Sequence, residues 1–305
     1  MINDTTLRAY HVEQARVARE IYVAGFTSSA AQSDWQDAKA EARSLIADAL
    51  EASDWLRNIE QALLKSGRYL AVFRHLLAPP MSQDQFALLC PQYPKRNEKS
   101  GRGLAIETSA AVATAIRAGL DPGLAPWLGH NRSPEAKSVT DLIESITPML
   151  SQQTAATLRR NRLSISQENA VVELLRQKGW QQQGSTPIAA LDGILRCHFM
   201  HKTRFATKTR PQEVDIACGL GNTVVLAMEC KVTNDETNSV KRVNDVLKKA
   251  SAWHAHWGSF VETAALLQGV IGFKDVERLL DAQVHVFWSH DLGKFEAWID
   301  AQIVS

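Results

Sequence analysis

Cysteine is scarce. The chain has four in 305 residues, Cys90, Cys197, Cys218 and Cys230, and no CxxC pair among them. Dispersed single cysteines give neither zinc-ligand spacing nor a disulfide framework, so buried, reduced thiols are expected. Long apolar runs are missing too. No stretch approaches the roughly 18 apolar residues of a membrane span, so no membrane association is expected. The opening MINDTTLRAYHVEQ carries early charges and no apolar segment, so no secretory signal is expected and the protein is placed in the cytoplasm. An excess of one charge sign is also absent. Lys and Arg number 34, Asp and Glu 33, for a net +1. That argues against non-specific coating of nucleic acid, and any DNA contact must come from local basic clusters. Neither an internal repeat nor a low-complexity tract occurs.

What is present is ordinary for a globular chain, 45% hydrophobic and 22% charged, and long enough for one large or two modest domains. Up to about residue 75 the pattern is helical, with few glycines or prolines to interrupt it. Ser33-Asp34 reads as an N-cap for a helix through Trp35, Leu45 and Leu50, and Ser53-Asp54 restarts another through Ile59 and Leu63. Pro79-Pro80 closes this block. Lys95-Arg-Asn-Glu-Lys-Ser-Gly-Arg102 reads as a basic, flexible segment, either a DNA-contacting loop or a plain surface connection. Helices follow from Leu104 to Leu120, from Pro134 to Leu150 and from Asn169 to Lys178, with His130 in a polar loop between the first two. After that the period changes. Strands are expected over 197–205, 214–220, 223–232, 263–271 and 283–288, with helices over 238–257, 275–281 and 292–303. The fold class is α/β, with a helical N-terminal region over residues 1–160 and an αβββαβ core over 161–305.

The most informative stretch is Thr223 to Lys231, TVVLAMECK. It reads as a buried strand, yet it ends in Glu229 and Lys231, for which packing gives no reason. Side chains alternate along a strand, so these two share a face about 7 Å apart. Upstream, Glu213-Val-Asp-Ile-Ala forms a second strand, joined through Gly219-Leu-Gly-Asn222, where glycine and asparagine tolerate positive φ. Folding the hairpin lays Asp215 opposite Met228 or Glu229, according to the turn. In the second register two carboxylates and an ammonium converge, which is a divalent-metal site with a basic group beside it. Hydrolysing a phosphodiester needs charge neutralised on a phosphate oxygen and a water made nucleophilic. Mg2+ suits this, because it takes one or two carboxylates and fills its remaining positions with water and phosphate. Asp215 and Glu229 supply the carboxylates, and the Cys230 carbonyl could add a ligand. Lys231 would orient the attacking water, with its pKa expected to be lowered.

Asp215 followed by Glu229-Cys-Lys231 on the next strand, inside an αβββαβ order, resembles the PD-(D/E)XK nuclease superfamily. Val214 stands where the proline of that motif would be. The resemblance implies a supporting role for Glu168, at the start of the preceding helix, as an extra acidic residue near the metal. MECKVTNDETNSVKRVND (Met228 to Asp245), Trp253 to Gly258 and Val286-Phe-Trp-Ser-His290 resemble more narrowly the XamI-type type II restriction endonucleases. Cys90-Pro-Gln-Tyr-Pro-Lys and Asp121-Pro-Gly-Leu-Ala-Pro-Trp127 do the same. The likeness is dense over 197–298, patchier over 85–190, and none is claimed before 80. It implies Mg2+-dependent cleavage of double-stranded DNA at a specific sequence, leaving 5'-phosphate ends. It also implies a homodimer on a palindromic site, with a cognate DNA methyltransferase as a functional companion that is not itself bound.

DNA readers are expected just after the Glu-x-Lys strand. Asn234 and Asn238 suit adenine edges, Arg242 suits guanine, and Ser239 and Lys241 suit phosphate at a helix N-terminus. Lys202, Arg204, Lys208 and Arg210 could track the backbone, or protect an edge strand by charge. His198-x-x-His201, His254-x-His256 and His290 read as structural or surface residues, and Trp253 and Trp257, four apart, as core anchors. Two other functions fit the same residues less well. One is a repair or recombination nuclease that reads DNA structure. The other is an inactive DNA-binding module, which the intact charged set argues against, since buried charges are costly without a metal or partner.

Overall fold

The structure is a computed structural model, and it describes residues 4–129, 133–221 and 223–304. His130 and Asn222, assigned above to a loop and to the hairpin turn, lie outside the described residues. The chain forms two compact units, one of residues 1–28 with 159–305 and one of residues 29–158.

The 29–158 unit is helical. It holds α2 (Ser29–Ala52), α3 (Ile59–Lys65), α4 (Tyr69–His75), α5 (Gln83–Leu89), α6 (Lys95–Ser100), α7 (Ile106–Gly119) and the first part of α8 (Ala136–Gln177). Its core gathers Ile46, Leu50, Ile59, Leu63, Phe73, Phe86, Ile116 and Ile146. Trp127 anchors as expected, buried, with Nε1 donating to the Trp55 carbonyl at 2.9 Å. Two expectations are corrected. The segment after Pro94 is helical in α6, held by the buried Arg74–Glu98 ion pair at 3.1 Å and ended by Gly101 at φ 76°. The helices expected over 134–150 and 169–178 are one, α8, of 42 residues, which runs through Pro148.

The other unit is built on a six-stranded sheet in the order β1-β2-β3-β4-β5-β6. Its strands are β1 (Gln181–Gln182), β2 (His198–Phe205), β3 (Gln212–Gly221), β4 (Val224–Thr233), β5 (Val261–Gly269) and β6 (His285–Trp288). β2, β3 and β4 are antiparallel, while β4, β5 and β6 are parallel, joined by α9 (Glu236–Trp257) and α10 (Phe273–Asp281). α11 (Leu292–Val304) closes the chain. The order matches the one read from the sequence, with the two-residue β1 added. β1 pairs with β2 at His198 and Phe199, so Lys202 and Arg204 lie beyond that ladder.

Alternation along β4 decides which side each residue serves. Leu226, Met228 and Cys230 enter the cluster containing Val171 and Leu175 of α8 and Phe295 of α11. Val225 and Ala227 face the other way, into the cluster containing Trp253 of α9. Glu229 and Lys231 continue this second series and so face α9. One boundary also differs from the sequence reading. α1 (Asp4–Ala24) belongs with the sheet, because Ala15 and Ala18 share a core with Leu267, Val276, Leu279 and Trp288.

Candidate active site

The β3–β4 ladder runs Gly219↔Val225, Cys218↔Leu226, Ala217↔Ala227, Ile216↔Met228, with an irregularity near Gly221, where φ is 116°. Continued by one residue, this register lays Asp215 level with Glu229, the second of the two alternatives. No strand pairing is recorded at that step, and the Cys230 N–H finds its acceptor in the Asp215 carboxylate, at 2.8 Å from Oδ2. A side chain has taken over from the backbone ladder, as a buried N–H requires. Cys230 itself contributes backbone only, since its thiol lies in the core on the opposite face, where burial pushes its pKa well up.

Glu229 is fully buried. Its Oε2 accepts from Lys231 Nζ at 2.5 Å and from Lys249 Nζ at 2.8 Å, while its Oε1 has no hydrogen-bond partner. Lys231 Nζ also lies 4.0 Å from Asp215 Oδ2 and 3.4 Å from Asp245 Oδ2. The structure thus brings Asp215, Glu229 and Lys231 together and adds Asp245 and Lys249, which sequence reasoning missed. Their signal was available: both sit on α9, four apart and so on one helix face, next to the apolar positions Val246 and Ala250. Electrostatics follow from burial. Desolvation raises the Glu229 pKa, and the nearby Lys231 and Lys249 offset part of the rise. For Lys231 the expectation of a lowered pKa is reversed. Burial lowers it, but the charges of Glu229 and Asp215, the hydrogen bond to Glu229 and Asp245 together raise it above the usual lysine value. These neighbours favour the ammonium form of Lys231, a donor and a charge.

Glu168 is buried on α8, and its two oxygens are already engaged. Oε1 accepts from Ser164 Oγ at 3.3 Å, and Oε2 meets His201 Nε2 at 2.7 Å and Lys202 Nζ at 3.1 Å. Neighbours on a strand normally point to opposite faces. Here Lys202 is left-handed, at φ 54°, and the alternation breaks, so that both residues reach one carboxylate. Lys202 and Asp215 line the same groove together with Ser185, Pro187, Arg204 and Glu213.

Whether this set fits Mg2+ can be tested on its own atoms. Two carboxylates converge, one of them with a buried oxygen that no protein donor fills, and hard oxygen donors of that kind suit the ion. Among the described residues no group of three or more His, Cys, Asp or Glu side chains forms a metal cluster. Two carboxylates, with water and phosphate to complete the sphere, is the composition Mg2+ prefers.

The sequence profile of the XamI restriction endonuclease family matches residues 54–288, well over half of the chain and all of this site. The chain belongs to the XamI restriction endonuclease family. The match begins at residue 54, earlier than residue 85, where the likeness to the family's motifs begins. Type II restriction enzyme XamI from Xanthomonas campestris pv. amaranthicola is 28% identical over 193 residues, covering 61% of this chain and 66% of that enzyme. The match thus spans just under two thirds of that relative's length. Protein VC1899 from Vibrio cholerae aligns over 91% of this chain and 58% of its own, at 12% identity and a TM-score of 0.31, too remote to carry an argument.

In this member of the XamI family the expected DNA readers are not all free. Ser239 is fully buried and its hydroxyl donates to Asp275 Oδ2 at 2.7 Å, so it is no phosphate contact. Asn238 belongs to the helix cap, with its backbone N–H donating to Asp235 Oδ1 at 2.8 Å and its side chain to Oδ2. Asn234 is half-buried, and its Oδ1 lacks a partner. Lys241 is exposed on α9 and Arg242 half-exposed beside it. Lys208 and Arg210 are exposed in the β2–β3 connection. Lys202 and Arg204, by contrast, are paired with Glu168 and Glu213. His254 and Trp257 are held in the fold by contacts to Thr263 and to the Ala206 carbonyl, as the structural reading expected.

Proposed function

We propose that the protein is a Mg2+-dependent type II restriction endonuclease of the PD-(D/E)XK kind. It would hydrolyse double-stranded DNA at a specific sequence, as a homodimer, to leave 5'-phosphate ends. The observation that carries this reading is the buried, unpartnered Oε1 of Glu229 beside Asp215 and the Lys231 ammonium. Family membership supports it independently. Asp215 and Glu229 would hold the ion, and the Cys230 carbonyl would be the backbone ligand. When bound, Mg2+ supplies Lewis acidity to the phosphate and lowers the pKa of water.

Lys231, cationic at neutral pH, donates a hydrogen bond to the attacking water and offsets charge gathering on the phosphate. The water oxygen bonds to phosphorus and gives up a proton to solvent, the bond from phosphorus to O3' breaks, and the leaving oxygen takes a proton from solvent. Asp215 does double work, since its Oδ2 also fixes the Cys230 N–H and hence the end of β4. Glu168 acts at one remove, holding His201 and Lys202 beside the groove. Of the expected DNA readers, Lys208, Arg210 and Lys241 are exposed cations and Arg242 a half-exposed one, and Asn234 is the remaining amide candidate.

A plasmid digest tests this. With Mg2+ the purified protein should give discrete bands, and with EDTA none. Asp215→Ala should cleave at least about a hundredfold more slowly, the scale for losing one charge-stabilising group. A smear would replace sequence-specific cleavage by structure-directed cleavage, and unaltered cleavage by Asp215→Ala would overturn the site.

A further inference from the structure

Two ammonium groups meet one oxygen of Glu229 while its other oxygen has none. A fully buried carboxylate needs a cation that stays, because a lone charge in the interior is strongly disfavoured. Lys231 is poorly suited to that duty. It lies within reach of three acids, Glu229 at 2.5 Å, Asp245 at 3.4 Å and Asp215 at 4.0 Å, and can be shared among them. Among the described residues the recorded ion pair of Lys249 is with Glu229, and its side chain is 15% exposed. α9 therefore presents, one turn apart, an acid that competes with Glu229 for Lys231 and a base that shares the Glu229 oxygen with it.

We propose that Lys249 is the standing counter-ion of Glu229, so that Lys231 is released to face the attacking water and the phosphate, an assignment that rests on the nuclease reading above. Lys249 is a positioning residue and touches no reacting atom. The two lysines divide tasks that one could not perform at once, since an ammonium bound to Glu229 points its charge at the carboxylate and not at the substrate. The consequence has an unusual sign. Removing Lys249 takes a positive charge away from the neighbourhood of a divalent cation, so metal binding is not weakened. Lys231 is instead drawn permanently onto Glu229, and the chemical step slows.

The experiment compares the full-length protein with Lys249→Met and Lys249→Arg. Single-turnover cleavage of plasmid at saturating Mg2+ should fall about 10- to 100-fold in Lys249→Met, the usual scale for residues that orient a metal ligand, and Lys249→Arg should recover most of it. Calorimetric titration with Ca2+ should show affinity unchanged or tighter, and DNA affinity should be unchanged. A cleavage rate equal to wild type would overturn the assignment. So would loss of Ca2+ binding along with rate, or a salt-dependent loss of DNA affinity, which would make Lys249 a phosphate contact. A second measurement needs no catalysis. Glu229→Gln removes the charge that needs a counter-ion, so the Glu229→Gln/Lys249→Met double variant should recover the melting temperature lost in Lys249→Met. If the two losses merely add, the pair is not coupled and the proposal fails. A wild-type protein that cleaves nothing would strike the nuclease reading instead, and the melting cycle would still report on Lys249.

Discussion

His11, on α1, is 2% exposed, and its Nδ1 accepts from the Nε1 of the fully buried Trp288 at 3.1 Å. Burial lowers its pKa from 6.5 to about 4, because a charged imidazole there would lose hydration and the acceptor that Trp288 needs. In the unfolded chain the same group binds a proton near 6.5, so between 6.5 and about 4 the unfolded state holds more protons. His11 therefore contributes stability that is fully present above pH 6.5 and is lost as pH falls toward 4. Melting temperatures measured from pH 7 to pH 4 should fall more steeply for the wild type than for His11→Asn, whose side-chain oxygen also accepts from Trp288 but does not titrate. Parallel curves would show that His11 is not the linked group. Residue identities were legible where a backbone rule fixed them. Glu229 and Lys231 share a face because strands alternate, and Asp215 joins them because antiparallel registers permit only two choices. His201 was not legible as a site residue, and Asp245 and Lys249 were legible only as a charged pair on one face of α9, since their meetings with Glu168, Lys231 and Glu229 depend on how helices lie against the sheet.

At the scale of elements, α9 shows how a helix N-terminus can mislead. Its polar opening, Glu236-Thr-Asn-Ser239, read as a DNA-contacting surface, but Asp235 and Asn238 are spent on the cap and Ser239 points inward to Asp275 of α10. Ser239→Ala leaves that carboxylate, itself buried, with Arg278 as its remaining recorded partner. Unfolding in urea should give a loss of about 1–3 kcal/mol, the scale for an unmade buried hydrogen bond, with DNA affinity unchanged. A weakened DNA affinity at unchanged stability would return Ser239 to the interface. Strand and helix order over 197–303 was readable because period-2 and period-3.6 patterns are long there. α6 was misread because six polar residues carry no periodicity, and its helix depends on the buried Arg74–Glu98 pair, a tertiary contact.

At the scale of the molecule, the division falls near the expected residue 160, yet the first 28 residues join the sheet. Composition gave no sign of this, since α1 looks like any helix of the N-terminal block. Three of its contacts reach more than 250 positions away: Tyr10 with Asp291, Arg8 with Glu277 and His11 with Trp288. Deleting residues 1–28 should uncover the Trp288 side of the core. A loss of about 3 kcal/mol, for roughly 120 Å² of apolar surface returned to water, would lower the melting temperature by about 6–12 °C. Scanning calorimetry of the shortened chain checks this, and an unchanged melting point would mean that α1 is only draped on the sheet.

The hydrogen bond from the Cys230 N–H to Asp215 also bears on how an inactive form should be made. Alanine at 215 deletes an anion and, with it, the side-chain acceptor of the Cys230 N–H at the end of β4. Any change in DNA affinity would then mix lost charge with a loosened strand. Asp215→Asn is isosteric, keeps a carbonyl oxygen where Oδ2 stands and removes the charge alone. On the proposed nuclease reading, trapping an uncleaved DNA complex for crystallisation is better begun from the amide than from the truncation.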